Sequence, residues 1–290
     1  MTCRDALKEG ICLLEGTDSP FLDASVLLAH AAGMTREKLL ASYPDPLDPA
    51  SKDKYFQYLK RRLAGEPVAY LVGFKEFYGR PFLVDRRVLT PRPDTEALVE
   101  TGLQAAAILR AEGVTGPLRL ADVCTGSGCI ALTMALEDPG IVMTASDLSE
   151  EAAEVFSANR KALCPDEGEA SRRVIFRLGD LLSGDTRRYH VILSNPPYLT
   201  SNEVEEMKSR RWPEPALALE GGIDGLDLVK KLIEQSRDRL EKNGYLIMEA
   251  ATVQMPAIKE LLEQHGFGNI RIFPDLAGRD RVIEGRTGGA

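Results

Sequence analysis

Apolar residues recur at helical spacing over the first part of the chain: at Leu22, at Val26 and Leu27 through Ala31, at Leu39-Leu40, and from Tyr55 to Leu63. Pro44-Asp45-Pro46 and Asp48-Pro49 interrupt that spacing. Residues 1–72 therefore predict a small helical bundle. From Tyr70 to Val84 the pattern changes to period two around Gly79, which predicts a β-hairpin, and residues 73–90 are expected to link the bundle to the larger, C-terminal part of the chain. Pro91-Arg92-Pro93-Asp94-Thr95-Glu96 then puts proline and carboxylates into the first turn of a helix expected to run to about Ala111.

Beyond Ala111, short apolar runs alternate with amphipathic ones. Strands are predicted at Leu118–Val123, Ile141–Ser146, Val174–Leu178, His190–Ser194 and Tyr245–Glu249. Helices are predicted at Ile130–Glu137, Glu150–Leu163, Leu226–Leu240 and Val253–His265, and the chain closes on a hairpin of Asn269–Phe273 with Arg281–Glu284. Such alternation implies an α/β fold with a doubly wound, mostly parallel sheet of seven strands over residues 91–290. The tail 287–290 is expected to be disordered.

Composition narrows the class without naming it. With 290 residues, 44% of them hydrophobic and 28% charged, the chain is an ordinary soluble protein of one or two domains. A net charge of -8 argues against a nucleic-acid substrate, which favours a basic face. Lys52, Lys54, Lys60, Arg61 and Arg62 do make one helix basic along one side; such a run is usually a solvated face, and a docking surface is the sharper alternative. The five cysteines show no paired spacing and the three histidines no ligand spacing, so no metal site is expected. Free thiols, the lack of a membrane-length apolar run and the lack of a signal peptide together predict a cytoplasmic location.

Two short stretches carry the chemistry. The first is Ser194-Asn195-Pro196-Pro197-Tyr198. Two successive prolines cannot donate to a sheet, so the strand must stop, leaving Asn195 at its carboxyl end. An amide side chain, a carbonyl of fixed direction and an aromatic plane then lie within four residues, a set suited to holding a planar NH2 group. The plain alternative is a turn that ends a strand. The second stretch is Asp122-Val123-Cys124-Thr125-Gly126-Ser127-Gly128, where Gly126 and Gly128 let backbone approach a ligand at a helix N-terminus. Asp147 ends the next strand, where an acid can bind a ribose diol. Taken alone, this pattern also fits a nicotinamide-dependent oxidoreductase.

Position separates these readings. In a doubly wound sheet, ligands lie beyond the carboxyl ends of the strands where strand order reverses. The Gly turn ends the first parallel strand and Asn-Pro-Pro-Tyr the fourth, so both face one crevice. A methyl group on a sulfonium is an electrophile matched to an amino nitrogen, whereas hydride transfer wants an acid/base residue that no His or Lys near 195 supplies.

The combination of Asp-Val-Cys-Thr-Gly-Ser-Gly, Asp147 and Asn-Pro-Pro-Tyr resembles the amino-group methyltransferases that use S-adenosylmethionine. Gly-Glu-Pro-Val-Ala-Tyr at 65–70, Arg-Pro-Asp-Thr-Glu at 92–96, Glu-Pro-Ala-Leu-Ala-Leu-Glu-Gly-Gly at 214–222 and Gly278-Arg279-Asp280-Arg281 narrow the resemblance to the HemK-type methyltransferases, which methylate a glutamine in peptide chain release factors. It extends over the whole chain. It implies S-adenosylmethionine as cofactor, held by Asp122, Cys124, Thr125, Gly126, Ser127, Gly128, Asp147, Leu148, Asp180, Leu181 and Asn195. It implies a Gly-Gly-Gln glutamine as substrate, held by Asn195, Pro196, Pro197 and Tyr198 with Arg92 and Glu96, of which Asn195, Pro196 and Tyr198 are the catalytic set. The partner implied is a release factor acted on by a monomer, with no nucleic-acid substrate. Two positions depart from the family: it usually has Gly where Cys124 stands, and some members place an aromatic residue where Leu181 stands. Helix capping is the competing account of Arg92, Asp94 and Glu96. The alternative enzyme is a DNA adenine-amino methyltransferase, disfavoured by the acidic charge; a cofactor-binding protein without catalysis is disfavoured by the intact Asn-Pro-Pro-Tyr.

Overall fold

A computed structural model of the protein describes residues 1–164, 169–210, 212–275 and 277–288. The chain divides into two compact units, Met1–Phe74 with Arg211–Pro213, and Lys75–Arg210 with Glu214–Ala290.

The first unit holds five helices, α1 (Cys3–Leu13), α2 (Pro20–Ala31), α3 (Arg36–Ala41), α4 (Pro49–Leu63) and α5 (Val68–Val72). Their starts are chemically marked. Thr2 and Asp5 form a reciprocal capping box on α1, and Asp48 accepts the Ser51 N–H to cap α4, whose first residue is proline. Leu7, Leu14, Leu27, Leu28, Leu39, Tyr55 and Leu59 are buried together as its core. Two of the five basic residues of α4 are already paired: Arg61 with Glu66 at 2.5 Å and Arg62 with Asp23 at 2.8 Å.

The hairpin is shorter than the period-two pattern predicts. Tyr70, Leu71 and Val72 belong to α5, which follows Pro67 and is ended by Gly73 at φ 82°. Leu71 and Val72 are buried in the helical core, which places them on a helix rather than in the hairpin. The two strands are β1 (Phe74–Phe77) and β2 (Arg80–Leu83), joined through Tyr78 at φ 51° and Gly79 at φ 70°, the paired positive angles of a tight primed turn.

In the second unit one 3-10 turn, Pro93–Thr95, leads into α6 (Glu96–Ala111). There follow β3 (Leu118–Val123), α7 (Cys129–Glu137), β4 (Ile141–Asp147), α8 (Glu150–Leu163), α9 (Glu169–Arg172), β5 (Val174–Leu178) and β6 (Tyr189–Ser194). The chain continues through α10 (Ser201–Ser209), α11 (Asp227–Arg239), β7 (Leu240–Glu249), α12 (Met255–Gln264), β8 (Phe267–Pro274) and β9 (Asp280–Thr287). The seven strands form one sheet in the order β5-β4-β3-β6-β7-β9-β8. All neighbours run parallel except around β9, which is antiparallel to β7 and β8. Thr287, expected in a disordered tail, is the last residue of β9 and is buried; residues 289–290 lie outside the described residues.

Strand order reverses between β3 and β6, which pair in register from Leu120 with Val191 to Val123 with Ser194. Val191, Leu193, Leu118 and Leu120 are fully buried, as expected of strands covered on both faces. Among the described residues no helix is long and apolar enough to cross a membrane.

Candidate active site

The two chemistry-bearing turns leave adjacent strands at the same level. Ser194 Oγ donates to the Val123 carbonyl at 2.7 Å, tying the last residue of β6 to the last residue of β3. The turn after β3 is organised by two carboxylates, Asp122 buried and Asp147 half-buried. Asp122 Oδ2 accepts from Thr125 Oγ1 at 2.6 Å and from the Ala131 N–H at 3.0 Å, while its Oδ1 has no partner. Complete burial pushes the Asp122 carboxyl up to about 7, against the pull of those two hydrogen bonds. Asp147, ending β4, accepts from the Gly126 N–H at 2.8 Å and the Ser149 N–H at 3.0 Å. Burial raises its pKa also, and these backbone donors act in the opposite direction.

The two glycines serve different ends. Gly128, at φ 82°, begins α7 so close to Phe156 that a β-carbon there would lie 2.5 Å from the ring. Gly126, at φ 53°, has nothing within 4 Å of where a β-carbon would be, so its face is open to a ligand. Ser127 is buried, and its carbonyl accepts Asn159 Nδ2 at 2.9 Å; the same Asn159 pairs with the Leu83 backbone of β2. Cys124 sits at φ 61°, in the left-handed region that glycine enters without strain. That geometry is a physical reason for glycine at this position, and the cysteine tolerates it at a cost of about 1–2 kcal/mol.

Further along the same edge, Leu148 follows Asp147 and is 56% exposed, an apolar surface beside an acid. Asp180, beyond β5, is paired with Lys231, and Leu181 is buried against Ala121 and Val123 at φ 52°. The residues expected to hold a cofactor thus come together at the carboxyl ends of four neighbouring strands, β5, β4, β3 and β6.

Beyond β6, Pro196 and Pro197 are buried while Asn195 and Tyr198 are half-buried. Asn195 Nδ2 donates to Thr95 Oγ1 at 3.3 Å. The next stretch of backbone is braced from behind. Gln254 Nε2 donates to the Tyr198 carbonyl at 2.9 Å and to the Gly225 carbonyl at 3.3 Å. Leu199 N–H donates to the Leu219 carbonyl at 2.9 Å, and Gly221 N–H to the Leu199 carbonyl at 2.8 Å. A β-carbon at Gly221 would lie 2.7 Å from the Pro197 carbonyl oxygen, so only glycine allows that approach.

The residues around 92–96 separate. Arg92 binds Glu214 at 2.6 Å, and Glu214 also accepts the Thr90 N–H at 3.1 Å. Asp94 meets Arg279 at 3.2 Å and Arg281 at 3.4 Å. Glu96 points the other way, accepting the Tyr78 N–H at 2.8 Å, where it holds the hairpin turn. Behind Asn195, Glu249 ends β7 and is 1% exposed. Burial pushes its carboxyl up to about 7, against the opposing effect of a hydrogen bond from the Thr95 side chain and of the Arg281 charge. The Tyr198 phenol is raised as well, first by burial and then by the Glu249 charge.

Residues 5–73 match the family model of the PrmC N-terminal domain, and residues 105–212 that of the methyltransferase small domain. A release factor glutamine methyltransferase of Cereibacter sphaeroides is 38% identical over 290 residues, covering 99% of both chains. The protein of the same name from Neisseria gonorrhoeae is 37% identical, over 92% of this chain and 93% of its own.

The chain belongs to the release factor glutamine methyltransferase family.

Solved methyltransferases share the fold of this family member at low identity. A methyltransferase from Pyrococcus furiosus superposes at TM-score 0.52, with 17% identity over 74% of this chain and 92% of its own. The hMettl16 catalytic domain superposes at 0.55, with 16% identity over 82% and 80%. In this family member the site contains residues that sequence reasoning did not assign. Thr95 and Glu214 lie inside stretches that carried the resemblance, Arg-Pro-Asp-Thr-Glu and Glu-Pro-Ala-Leu-Ala-Leu-Glu-Gly-Gly. The available signal for Glu249 was a lone carboxylate closing the apolar run from Tyr245. Gln254 carried none for this brace, because the carbonyls its Nε2 donates to lie 29 to 56 residues away in the chain.

Proposed function

We propose that this protein transfers a methyl group from S-adenosylmethionine to the side-chain amide nitrogen of the glutamine in the Gly-Gly-Gln motif of peptide chain release factors, acting as a monomer in the cytoplasm. One observation carries the reading. In a chain of this family, an amide side chain followed by two prolines and a tyrosine leaves β6 directly beside the open glycine turn of β3. The DNA adenine-amino alternative draws no support from the relatives, whose names give glutamine as the target.

The residues present suit the cofactor. Asp147 offers carboxylate oxygens for a ribose diol. The open face of Gly126 admits a ligand against backbone, and exposed Leu148 with buried Leu181 flanks the place for an adenine ring. When bound, S-adenosylmethionine supplies a methyl carbon activated by a positively charged sulfur.

The chain's own task is to make a poor nucleophile react. An amide nitrogen shares its lone pair with its carbonyl and becomes positive as it takes a methyl group. Asn195 Oδ1 and the Pro196 carbonyl accept its two N–H bonds and stabilise that charge as it develops. Tyr198 lies against the amide plane and fixes its direction, so that the nitrogen meets the methyl carbon in line. As the C–N bond forms, the C–S bond would break with its electron pair left on sulfur, and one N–H proton would then leave to solvent. Asn195, Pro196, Pro197 and Tyr198 hold the glutamine, and Arg92, fixed by Glu214, closes the substrate side. The helical unit recognises the release factor.

The test is incubation of a release factor with this protein and isotopically labelled S-adenosylmethionine, followed by mass spectrometry of the Gly-Gly-Gln peptide. One labelled methyl group on the glutamine nitrogen is expected, and Asn195→Ala should lower single-turnover methylation by about 10²–10³. Label on another residue, or near-normal turnover by a stably folded Asn195→Ala protein, would overturn the reading.

A further inference from the structure

Ile223 is 90% exposed and Val253 is 86% exposed, whereas the next most exposed large apolar side chains among the described residues, Leu148 and Leu217, stand at 56%. One exposed aliphatic residue on a surface is ordinary. These two differ in where they stand and in how firmly they are held there. Ile223 lies in the turn 221–225, which is seated on the segment that carries Tyr198. Gly221 N–H donates to the Leu199 carbonyl at 2.8 Å, Ser201 N–H to the Gly222 carbonyl at 2.9 Å, and Asp227 N–H to the Gly221 carbonyl at 2.9 Å. A β-carbon at Gly225 would run into the Tyr198 carbonyl oxygen. Of the two side chains this turn carries beyond its glycines, Asp224 pairs with Lys230 at 2.6 Å and Ile223 stands out into solvent.

Val253 lies in the 3-10 turn Thr252–Gln254 that follows β7. That turn is fixed on both sides of the valine: Thr252 Oγ1 donates to the Asp280 carbonyl at 2.8 Å, and Gln254 Oε1 accepts the Ala251 N–H at 3.2 Å. Gln254 also joins the two turns, its Nε2 lying 2.9 Å from the Tyr198 carbonyl, 3.3 Å from that of Gly225 and 3.4 Å from that of Asp224. The sequence neighbours of Ile223 and Val253 are thus bonded to each other and to the backbone of Tyr198. Both side chains are β-branched and stiff at χ1, so covering them costs little conformational freedom, while their exposure contributes nothing to the fold.

A glutamine carries its amide on only two methylene groups. With that amide against residues 195–198, the backbone on either side of it lies at the mouth of the site, beside the two turns. Glycine neighbours bring no side chain, so the first side chains to meet these turns belong to residues just beyond Gly-Gly-Gln. We propose that Ile223 and Val253 form an apolar rim that docks aliphatic or aromatic side chains of the release-factor segment flanking the target glutamine. This rests on the assignment of the glutamine to Asn195 and Tyr198, and it puts a second recognition surface in the catalytic unit.

The experiment uses the full chain and an intact release factor, with Ile223→Ser, Val253→Ser, the double variant and Ile223→Leu. Side chains this exposed make little packing, so thermal melts of all four should match wild type. Each serine variant should raise KM for the release factor about tenfold, the low end of what burying one aliphatic side chain contributes, and the double variant at least about 30-fold. Because this binding is lost equally from ground and transition states, kcat should stay within about twofold, with S-adenosylhomocysteine affinity unchanged. Ile223→Leu keeps the apolar surface and should hold KM within about threefold of wild type. A KM unchanged within about twofold in the double variant, a loss confined to kcat, or a KM for Ile223→Leu as high as for Ile223→Ser would overturn the rim. So would a wild-type dimer that Ile223→Ser converts to monomer, since a second copy of this chain would then be the occupant. A wild-type protein that leaves the release factor unmethylated would instead overturn the proposed function, and the rim with it.

Discussion

Asp122→Asn is predicted to make the protein more stable above neutrality and less stable in acid. Asp122 is wholly buried, and its carboxyl is pushed from an ordinary 3.8 up to about 7 by loss of solvation. At about 1.4 kcal/mol for each tenfold, the ionised form costs about 4 kcal/mol in the folded state. The sign is set by proton uptake. Below the unfolded pKa both states are protonated and the cost is absent. As pH rises from about 4 to about 7 the unfolded chain loses its proton while the folded chain keeps it, so stability falls through that window and the full cost stands above it. Asparagine never ionises, so it escapes this cost. Its oxygen can keep the bonds from Thr125 and Ala131, but its NH2 falls where Oδ1 has no partner. An unpaired buried donor costs about 1–3 kcal/mol at every pH. The two curves should therefore cross: the variant weaker by about 1–3 kcal/mol near pH 4 and stronger by a similar amount near pH 8, a swing of about 4 kcal/mol. Urea unfolding of both proteins over that range measures the difference directly. A difference that stays constant within about 1 kcal/mol across it would refute the assignment of a raised pKa to this carboxyl.

Asp147→Ala should weaken S-adenosylhomocysteine binding by about 1.5–3 kcal/mol, the scale of a hydrogen bond to a charged group; calorimetry showing unchanged affinity would remove Asp147 from the cofactor site. Gly221→Ala should lower stability by about 1–3 kcal/mol through overpacking, since its β-carbon would lie 2.7 Å from two carbonyl oxygens, those of Pro197 and Gly225. Because that strain falls on the segment carrying Tyr198, turnover per folded molecule should drop as well, and a variant of normal rate would show that this brace is dispensable.

Leu118–Val123, buried except at Arg119, and the edge strand Val174–Leu178, of which only Val174 is buried, were legible as short runs rich in apolar residues and match the observed limits. The strand-ending prolines and the glycine turn were legible because their backbone demands are local. What escaped had two causes. α10 has a single buried residue, Val204, so it shows little periodicity, and its sign was the capping box of Thr200 with Glu203. β7 begins at Leu240, five residues before the predicted Tyr245, across polar positions that include Asn243 at φ 63°. The contact behind Asn195 was invisible for a different reason: Thr95 and Asn195 are 100 positions apart in the chain, and only the fold makes them neighbours.

The bond from Ser194 to the Val123 carbonyl has a consequence for how this architecture can vary. Paired strands stand about 4.8 Å apart, so the sheet itself works as a ruler between the nucleotide side and the amide side. Its calibration depends on chain length only at one end of the strands. Loops at the opposite end, such as those entering β4 and β6, can lengthen or shorten without moving either turn. One residue inserted between Asp122 and Gly126, or between Leu193 and Tyr198, would instead change the reading of the ruler. Tolerance to insertion should therefore be lopsided, generous on one edge of the sheet and nearly absent on the other.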